Sequence, residues 1–170
     1  MVIDHGRKSA WGTGLSCHSC LLRPKSRGEV TLESADPFAD PLIDPKFLTH
    51  PDDMQDMIDG YKAMMKVLNN ASFSKYISQN TQRPIDINDD ADIEKAIREE
   101  ADTVYHPVGT CKMGDDDMSV VSHDLKVHKM KGLRVVDASI MPTLVGGNTN
   151  APTIMIGEKA SDLIINEWRI

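Results

Sequence analysis

The sequence has no long apolar run. Its apolar stretches all fall short of the roughly 20 residues that a helix needs to span a bilayer. The first 14 residues also lack the apolar core of a secretory signal. We therefore expect neither a membrane-spanning helix nor export of the chain.

Positive charge is scarce. Lys and Arg number 19 against 26 Asp and Glu, which gives a net charge of −7. Affinity for nucleic acid depends largely on clustered basic side chains that neutralise phosphates. The charge balance therefore argues against a nucleic-acid partner.

Cysteine is also rare, with only three in the chain. An odd number without an export signal predicts reduced thiols and a cytoplasmic location. Cys17 and Cys20 have the C-x2-C spacing of a zinc site, but no second close pair accompanies them. A structural zinc is thus a minor alternative, and we predict no metal site.

The residue patterns along the chain indicate an α+β fold of mainly antiparallel strands with three principal helices. The clearest helix is predicted over 51–69, since its apolar residues recur at helical spacing and Pro51 suits a first turn. A second helix is expected from Asp90 or Asp92 to about Val104, and a third from Ala151–Pro152 towards Trp168. The predicted inward-facing residues of the three helices are Met54, Met57, Ile58, Tyr61, Met64, Met65 and Leu68; Ile93, Ala96, Ile97 and Val104; and Ile154, Ala160, Leu163 and Ile164.

Strands are predicted early in the chain. Two partly alternating apolar runs between Leu15 and Glu33 flank a polar stretch at 24–28, which favours a β-hairpin reversing there. The segment 34–45 contains three prolines among aspartates, and we expect a surface excursion. From 105 to 150, short apolar runs alternate with Gly, Pro, Asn and Asp, which predicts loops and short strands.

Two of these loop segments are candidates for a functional site. His106 precedes Pro107, which favours an extended backbone at the histidine. Gly146 and Gly147 lead through a polar run that starts at Asn148 to a predicted helix start, where free N–H groups attract electron-rich atoms. From the residues alone, a hydrogen-bonded structural histidine and a simple helix cap at Asn150 remain open alternatives.

Together the motifs resemble a known family. The segments YHPVGTCKMG and GLRVVDASIMPTLVGGNTNAPTIMIGEKASDLI resemble the C-terminal signature of glucose-methanol-choline (GMC) oxidoreductases, closest to the choline-dehydrogenase-like branch. The stretch SCHSCLLRPKSRGEVTLESADPFADPLIDPKFL resembles the part of the family that precedes them. The resemblance implies that residues 1–170 form the C-terminal domain, comprising part of a substrate-binding sheet and the segment that returns to the FAD domain.

The resemblance also implies site residues. It assigns the catalytic base to His106 and the second catalytic position to Asn148. It places Asp137 and Ala138 near the phosphate and ribityl part of FAD. Thr149 and Asn150, at the start of the last helix, are implied neighbours of the flavin ring. The implied activity is oxidation of a CH–OH group to a carbonyl, with hydride transfer to flavin.

One departure from the family pattern concerns the cofactor. The Gly-x-Gly-x-x-Gly loop that cradles the FAD pyrophosphate does not occur in these 170 residues. We therefore expect a truncated product, a cloned fragment or one half of a split enzyme that does not retain FAD by itself. The implied partners are a small alcohol and the FAD-binding N-terminal portion, and peripheral membrane association of the parent enzyme is left open. The alternative function is a non-catalytic interaction module.

A smaller departure lies at Lys129, where the family pattern has a glycine turn position. If the backbone there is left-handed, the lysine costs on the order of 1 kcal/mol.

Overall fold

The computed structural model describes residues 2–3, 8–9, 16–76 and 85–168. The chain divides into two compact units. The first comprises residues 1–21 and 47–104, and the second comprises residues 22–46 and 105–170. Within the described ranges, no helix is long and apolar enough to cross a membrane.

The first unit is built on a helix that the periodicity predicts. Helix α1 spans Pro51–Leu68. It begins where His50 accepts a hydrogen bond at Nδ1 from the Asp52 N–H (3.2 Å), with Pro51 in the first turn. The predicted helix over 51–69 is thus confirmed. A short helix, α2, follows at Ala71–Ser74.

Helix α3 spans Asp90–Glu100 and packs on α1. Asp89 caps it by accepting a hydrogen bond from the Ala91 N–H (2.9 Å). The core between the two helices consists of Met54, Ile58, Ile93 and Ile97. The second predicted helix is confirmed, and so are the buried positions of Ile93, Ala96 and Ile97.

The predicted end of that helix is wrong. The backbone turns extended at Ala101 (φ −64°, ψ 142°), and Val104 is 56% exposed rather than buried. The Ala101 N–H donates to the Ile97 carbonyl oxygen (2.9 Å), and this bond closes the last turn of the helix.

The described residues form two sheets, and each is two-stranded and antiparallel. Strand β1, Val2–Ile3, pairs with β2, Lys8–Ser9, in the first unit. Strand β3, Glu29–Thr31, pairs with β4, Leu42–Asp44, in the second unit, with Val30 opposite Ile43. Antiparallel strands combined with helices confirm the predicted α+β class.

The predicted hairpin between Leu15 and Glu33 is wrong. Leu15 lies outside the described residues, and 16–28 forms no strand. The partner of β3 comes instead from the segment 34–45, which was expected to be a surface excursion. Gly28, which directly precedes β3, permits the pairing of β3 with β4. A β-carbon at this position would lie 2.3 Å from the Asp44 carbonyl oxygen. The two strands approach too closely for any other residue.

The second unit otherwise consists of loops around one apolar core and a final helix, as predicted. The core residues are Val121, Leu125, Ile140, Met141, Ile156 and Ala160. Isolated bridges, such as Val121 with Val127, and a single 3-10 turn at Ala138–Ile140 order the loops.

Helix α4 spans Asn150–Trp168 and confirms the third predicted helix. Its inward face agrees with the prediction at Ala160, which is buried, and at Leu163, which packs on the core. The prediction is wrong at Ile154 and Ile164, which are 59% and 36% exposed, and Ile156 is buried instead.

Lys129 adopts the left-handed conformation that the family pattern predicts for a glycine, with φ of 62°. A lysine pays a steric cost on the order of 1 kcal/mol in this region because of its β-carbon. The left-handed lysine at this turn therefore lowers the stability of the fold.

Candidate functional site

His106 lies at an exposed bend between two left-handed residues. Tyr105 has φ of 61° and Gly109 has φ of 87°. The His106 side chain is exposed and has no hydrogen-bond partner in the described part of the chain. This argues against a hydrogen-bonded structural histidine and leaves the imidazole available to a ligand.

The segment after His106 is held against the 3-10 turn. The Cys111 N–H donates to the Ser139 carbonyl oxygen (3.0 Å), and the Met113 N–H donates to that of Ile140 (2.8 Å). At Gly109, a β-carbon would lie 3.3 Å from the Met141 carbonyl oxygen. Glycine therefore permits both the left-handed turn and the close approach of the two segments.

Asp137 and Ala138 form the start of that 3-10 turn. Asp137 Oδ1 accepts a hydrogen bond from the Ser139 N–H (2.7 Å), which caps the turn. Ala138 is partly buried against the core. Asp137 itself is exposed.

Asn148 lies on the loop that enters α4. The Gly147 N–H donates to the Val145 carbonyl oxygen (2.9 Å), which tightens the loop just before Asn148. The Asn148 side chain is exposed and has no hydrogen-bond partner among the residues that the structure describes. Like His106, it presents a polar group at the surface of the second unit.

Thr149 and Asn150 form the N-terminus of α4. Thr149 is buried, and its carbonyl oxygen accepts hydrogen bonds from the Thr153 N–H (3.0 Å) and from Thr153 Oγ1 (2.7 Å). Asn150 is the first residue of the helix rather than the cap before it. The N–H groups of Asn150 and Ala151 find no acceptor within the described ranges, so the positive end of the helix is open.

The two catalytic candidates lie on loops that share one support. Val108, two residues after His106, packs on the core of the second unit, and so does Val145, three residues before Asn148. Both loops are thus anchored on the same core, and the side chains of His106 and Asn148 are exposed.

A basic segment, residues 23–27, lies beside the Gly146 loop and was not among the predicted site residues. A β-carbon at Gly146 would lie 3.1 Å from Nε and Nη2 of Arg23. The signal that could have found it is the presence of three basic residues within five positions of an acidic chain.

The C-x2-C pair is the part of the chain that the sequence offered as a minor zinc alternative. Cys17 and Cys20 are exposed, free thiols. Across the described ranges, no three His, Cys, Asp or Glu side chains are close enough together to hold an ion.

The chain is similar over most of its length to curated oxidoreductases. It is 49% identical over 164 residues to an alcohol dehydrogenase [acceptor] of Pseudomonas putida, which covers 96% of this chain and 30% of the relative. It is 44% identical to an oxygen-dependent choline dehydrogenase of Klebsiella pneumoniae subsp. pneumoniae, over 89% of this chain and 27% of the relative. The chain therefore spans less than a third of the length of these relatives.

Solved structures agree with these relatives. A formate oxidase of Aspergillus oryzae RIB40 superposes with a TM-score of 0.80 at 32% identity, covering 86% of this chain and 26% of that protein. A pyridoxine 4-oxidase of Mesorbium loti superposes with a TM-score of 0.77 at 29% identity, over 83% of this chain and 28% of the oxidase. The sequence model described as GMC oxidoreductase matches residues 24–157. The predicted resemblance is confirmed, and the chain belongs to the GMC oxidoreductase family.

Proposed function

We propose that this chain is the C-terminal part of an FAD-dependent oxidoreductase that oxidises an alcohol to a carbonyl. His106 is the proposed base, and Asn148 is the proposed hydrogen-bond donor to the substrate oxygen. Asp137, Ala138, Thr149 and Asn150 are the proposed neighbours of FAD. Its partners are a small alcohol and the FAD-binding N-terminal portion that makes up the remaining length of the relatives.

One observation carries the proposal. Two exposed polar side chains, His106 and Asn148, stand without hydrogen-bond partners in the described residues, on loops rooted in the same core. Binding and catalytic residues are found disproportionately on loops that a rigid scaffold positions. The names of the relatives supply the class of reaction, since they include alcohol and choline dehydrogenases.

The described residues fit a flavin. The open N–H groups of Asn150 and Ala151 lie at the positive end of a 19-residue helix, which favours negative charge on a neighbouring ring. A β-carbon at Gly147 would meet nothing within 4 Å, so the approach to this helix end is unobstructed on that side. When bound, FAD supplies the acceptor for the hydride that leaves the carbinol carbon.

The residues of this chain handle the proton. An unprotonated ring nitrogen of His106 takes the proton of the substrate hydroxyl, which is the role of a general base. The Asn148 side-chain amide donates a hydrogen bond to the same oxygen and cannot compete for its proton. The exposure of both groups in this chain means that the remaining part of the enzyme must exclude water from them.

The test is a chimeric enzyme that joins the N-terminal portion of the Pseudomonas putida relative to this chain. In the chimera, His106→Ala should slow flavin reduction by an alcohol by roughly 10²–10⁴-fold while FAD stays bound. Stopped-flow absorbance of the flavin measures the rate of reduction. His123→Ala is the matched control, since His123 is an exposed histidine of the same unit that pairs with Asp115 (3.2 Å).

Near-normal reduction in the His106→Ala chimera would remove His106 from the role of base. A folded, flavin-loaded chimera that oxidises no alcohol would instead favour the alternative, a non-catalytic interaction module.

A further inference from the structure

The second unit contains a small basic cavity outside the residues assigned above. Its volume is about 250 Å³, and its lining consists of Arg23, Pro24, Lys25, Arg27, Thr143 and Leu144. Two chain segments distant in sequence, the basic segment and the loop before Gly146, therefore form its walls. The cavity combines cationic groups, one hydroxyl and a small apolar surface.

The charge at this cavity is opposite to that of the whole chain. Residues 16–28 include no acidic residue, whereas the chain as a whole carries a net charge of −7. The next carboxylate along the chain is that of Glu29, and it already pairs with Lys46 (Oε1 to Nζ, 2.9 Å). Glu29 is thus engaged elsewhere and does not neutralise the cavity.

The guanidinium of Arg27 is held in place by its own loop. Its Nη1 donates to the carbonyl oxygens of Pro24 (2.7 Å) and Ser26 (2.9 Å). The Nε and Nη2 groups have no acceptor among the described residues. Because the backbone already fixes the guanidinium, a ligand would gain its remaining hydrogen bonds at a reduced cost in side-chain entropy.

The guanidinium of Arg23 lies against the backbone at Gly146, where the absence of a β-carbon allows the approach. It has no hydrogen bond or ion pair in the part of the chain that the structure describes. All five of its N–H donors are therefore available.

We propose that this cavity is a binding site for a small oxyanion, a carboxylate or a phosphate group. A guanidinium matches both groups with two parallel hydrogen bonds, and two guanidinium groups that share one cavity can bind the same anion. The cavity volume suits a compact anion. Since Thr143 and Leu144 lead directly to Gly146 and Asn148, the bound anion would lie beside the loop of the proposed active site. The inference stands on the basic cavity and does not depend on the proposed redox function.

The experiment titrates the 170-residue chain with inorganic phosphate and, separately, with sodium acetate at constant ionic strength. Two-dimensional NMR follows the Nε–H signals of Arg23 and Arg27 and the amide of Gly146. We expect saturable shifts of these signals with either anion. The anion with the lower dissociation constant identifies the preferred group. Arg23→Gln and Arg27→Gln should each weaken binding about tenfold, as expected for loss of a charge-assisted hydrogen-bond pair.

The variants distinguish a specific anion-binding site from non-specific electrostatic attraction. Arg27→Lys keeps the positive charge but loses the paired N–H donors of the guanidinium, so it should bind the anion more weakly than the original chain. Lys131→Gln removes an exposed charge of the same unit and should leave the affinity unchanged. Linear, unsaturable shifts with both anions, or equal weakening by Lys131→Gln and the arginine variants, would overturn the proposal.

Discussion

The conformation of the loop that carries His106 depends on one residue, Gly109. Its φ of 87° is unfavourable for any residue with a β-carbon, and such a carbon would also meet the Met141 carbonyl oxygen at 3.3 Å. The loop that carries His106 is shaped by this contact. The pattern His-Pro-Val-Gly therefore includes both the proposed base, His106, and the glycine that shapes its loop.

We predict that Gly109→Ala destabilises the chain by about 1–2 kcal/mol, since it adds left-handed strain and a tight contact. The midpoint of urea denaturation measures the effect. Gly132→Ala is the matched control, because Gly132 also has positive φ (71°) but a β-carbon there would meet nothing within 4 Å. If both variants lose the same stability, the contact with Met141 contributes nothing.

At the scale of elements, the β3–β4 hairpin depends on the close approach at Gly28. A β-carbon there would lie 2.3 Å from the Asp44 carbonyl oxygen and 2.5 Å from Pro45 Cα. Both are backbone atoms, so a rotamer change cannot relieve the overlap. The strands must separate to accommodate any larger residue.

We predict that Gly28→Ala opens the hairpin, which hydrogen exchange at Val30 and Ile43 would detect as lost protection. Gly157→Ala is a control variant that should change the stability of the chain in the opposite direction. Gly157 lies inside α4 and a β-carbon there would meet nothing within 4 Å, so alanine should stabilise the chain by about 0.5–1 kcal/mol. Unchanged exchange at Val30 and Ile43 in Gly28→Ala would contradict the packing argument.

The far end of α4 is tied to the loops by an ion-pair triad. Glu167 accepts hydrogen bonds from Lys126 Nζ (2.8 Å) and from Arg134 Nη2. The Lys126 ammonium and the Arg134 guanidinium hold the pKa of Glu167 below its usual value of 4.5. Because the folded-state pKa is the lower one, this contribution is complete above pH 4.5 and is lost as the pH falls through the lowered pKa.

We predict that hydrogen-exchange protection in the last turn of α4 decreases over that acidic range in the original chain. In Glu167→Gln, protection should already be low near neutral pH and should depend less on acid. Glu158→Gln, on the same helix at an exposed position, is the control. An identical pH profile for Glu167→Gln and the original chain would rule out the triad as the anchor.

At the scale of the whole molecule, the chain covers only 27–30% of the length of the relatives described above. Of the residues proposed to face flavin, Asp137 and Asn150 are exposed, one on a loop and one at a helix end. A cofactor held from one side only is held weakly, since few of its polar groups gain partners.

We predict that the purified 170-residue chain shows no flavin absorbance, whereas the chimera with the N-terminal portion of the Pseudomonas putida relative retains FAD through gel filtration. Visible absorbance spectra of both proteins test this. Stoichiometric FAD in the chain alone would contradict the prediction.

The sequence by itself determined the three main helices, the family and the two loops that carry the site candidates. Helices follow from local periodicity and local caps, such as Asp89 before α3, which depend on residues close together in the chain. The motifs around His106 and Asn148 are contiguous, so they too can be read without the fold.

Only the tertiary structure decided which distant segments meet. The partner of β3, the exposure of Val104 and Ile154, and the approach of Arg23 to Gly146 all depend on contacts between residues far apart in the chain or on where a shared core ends. Such contacts are set by packing and by backbone clearance at single glycines, which no local pattern encodes.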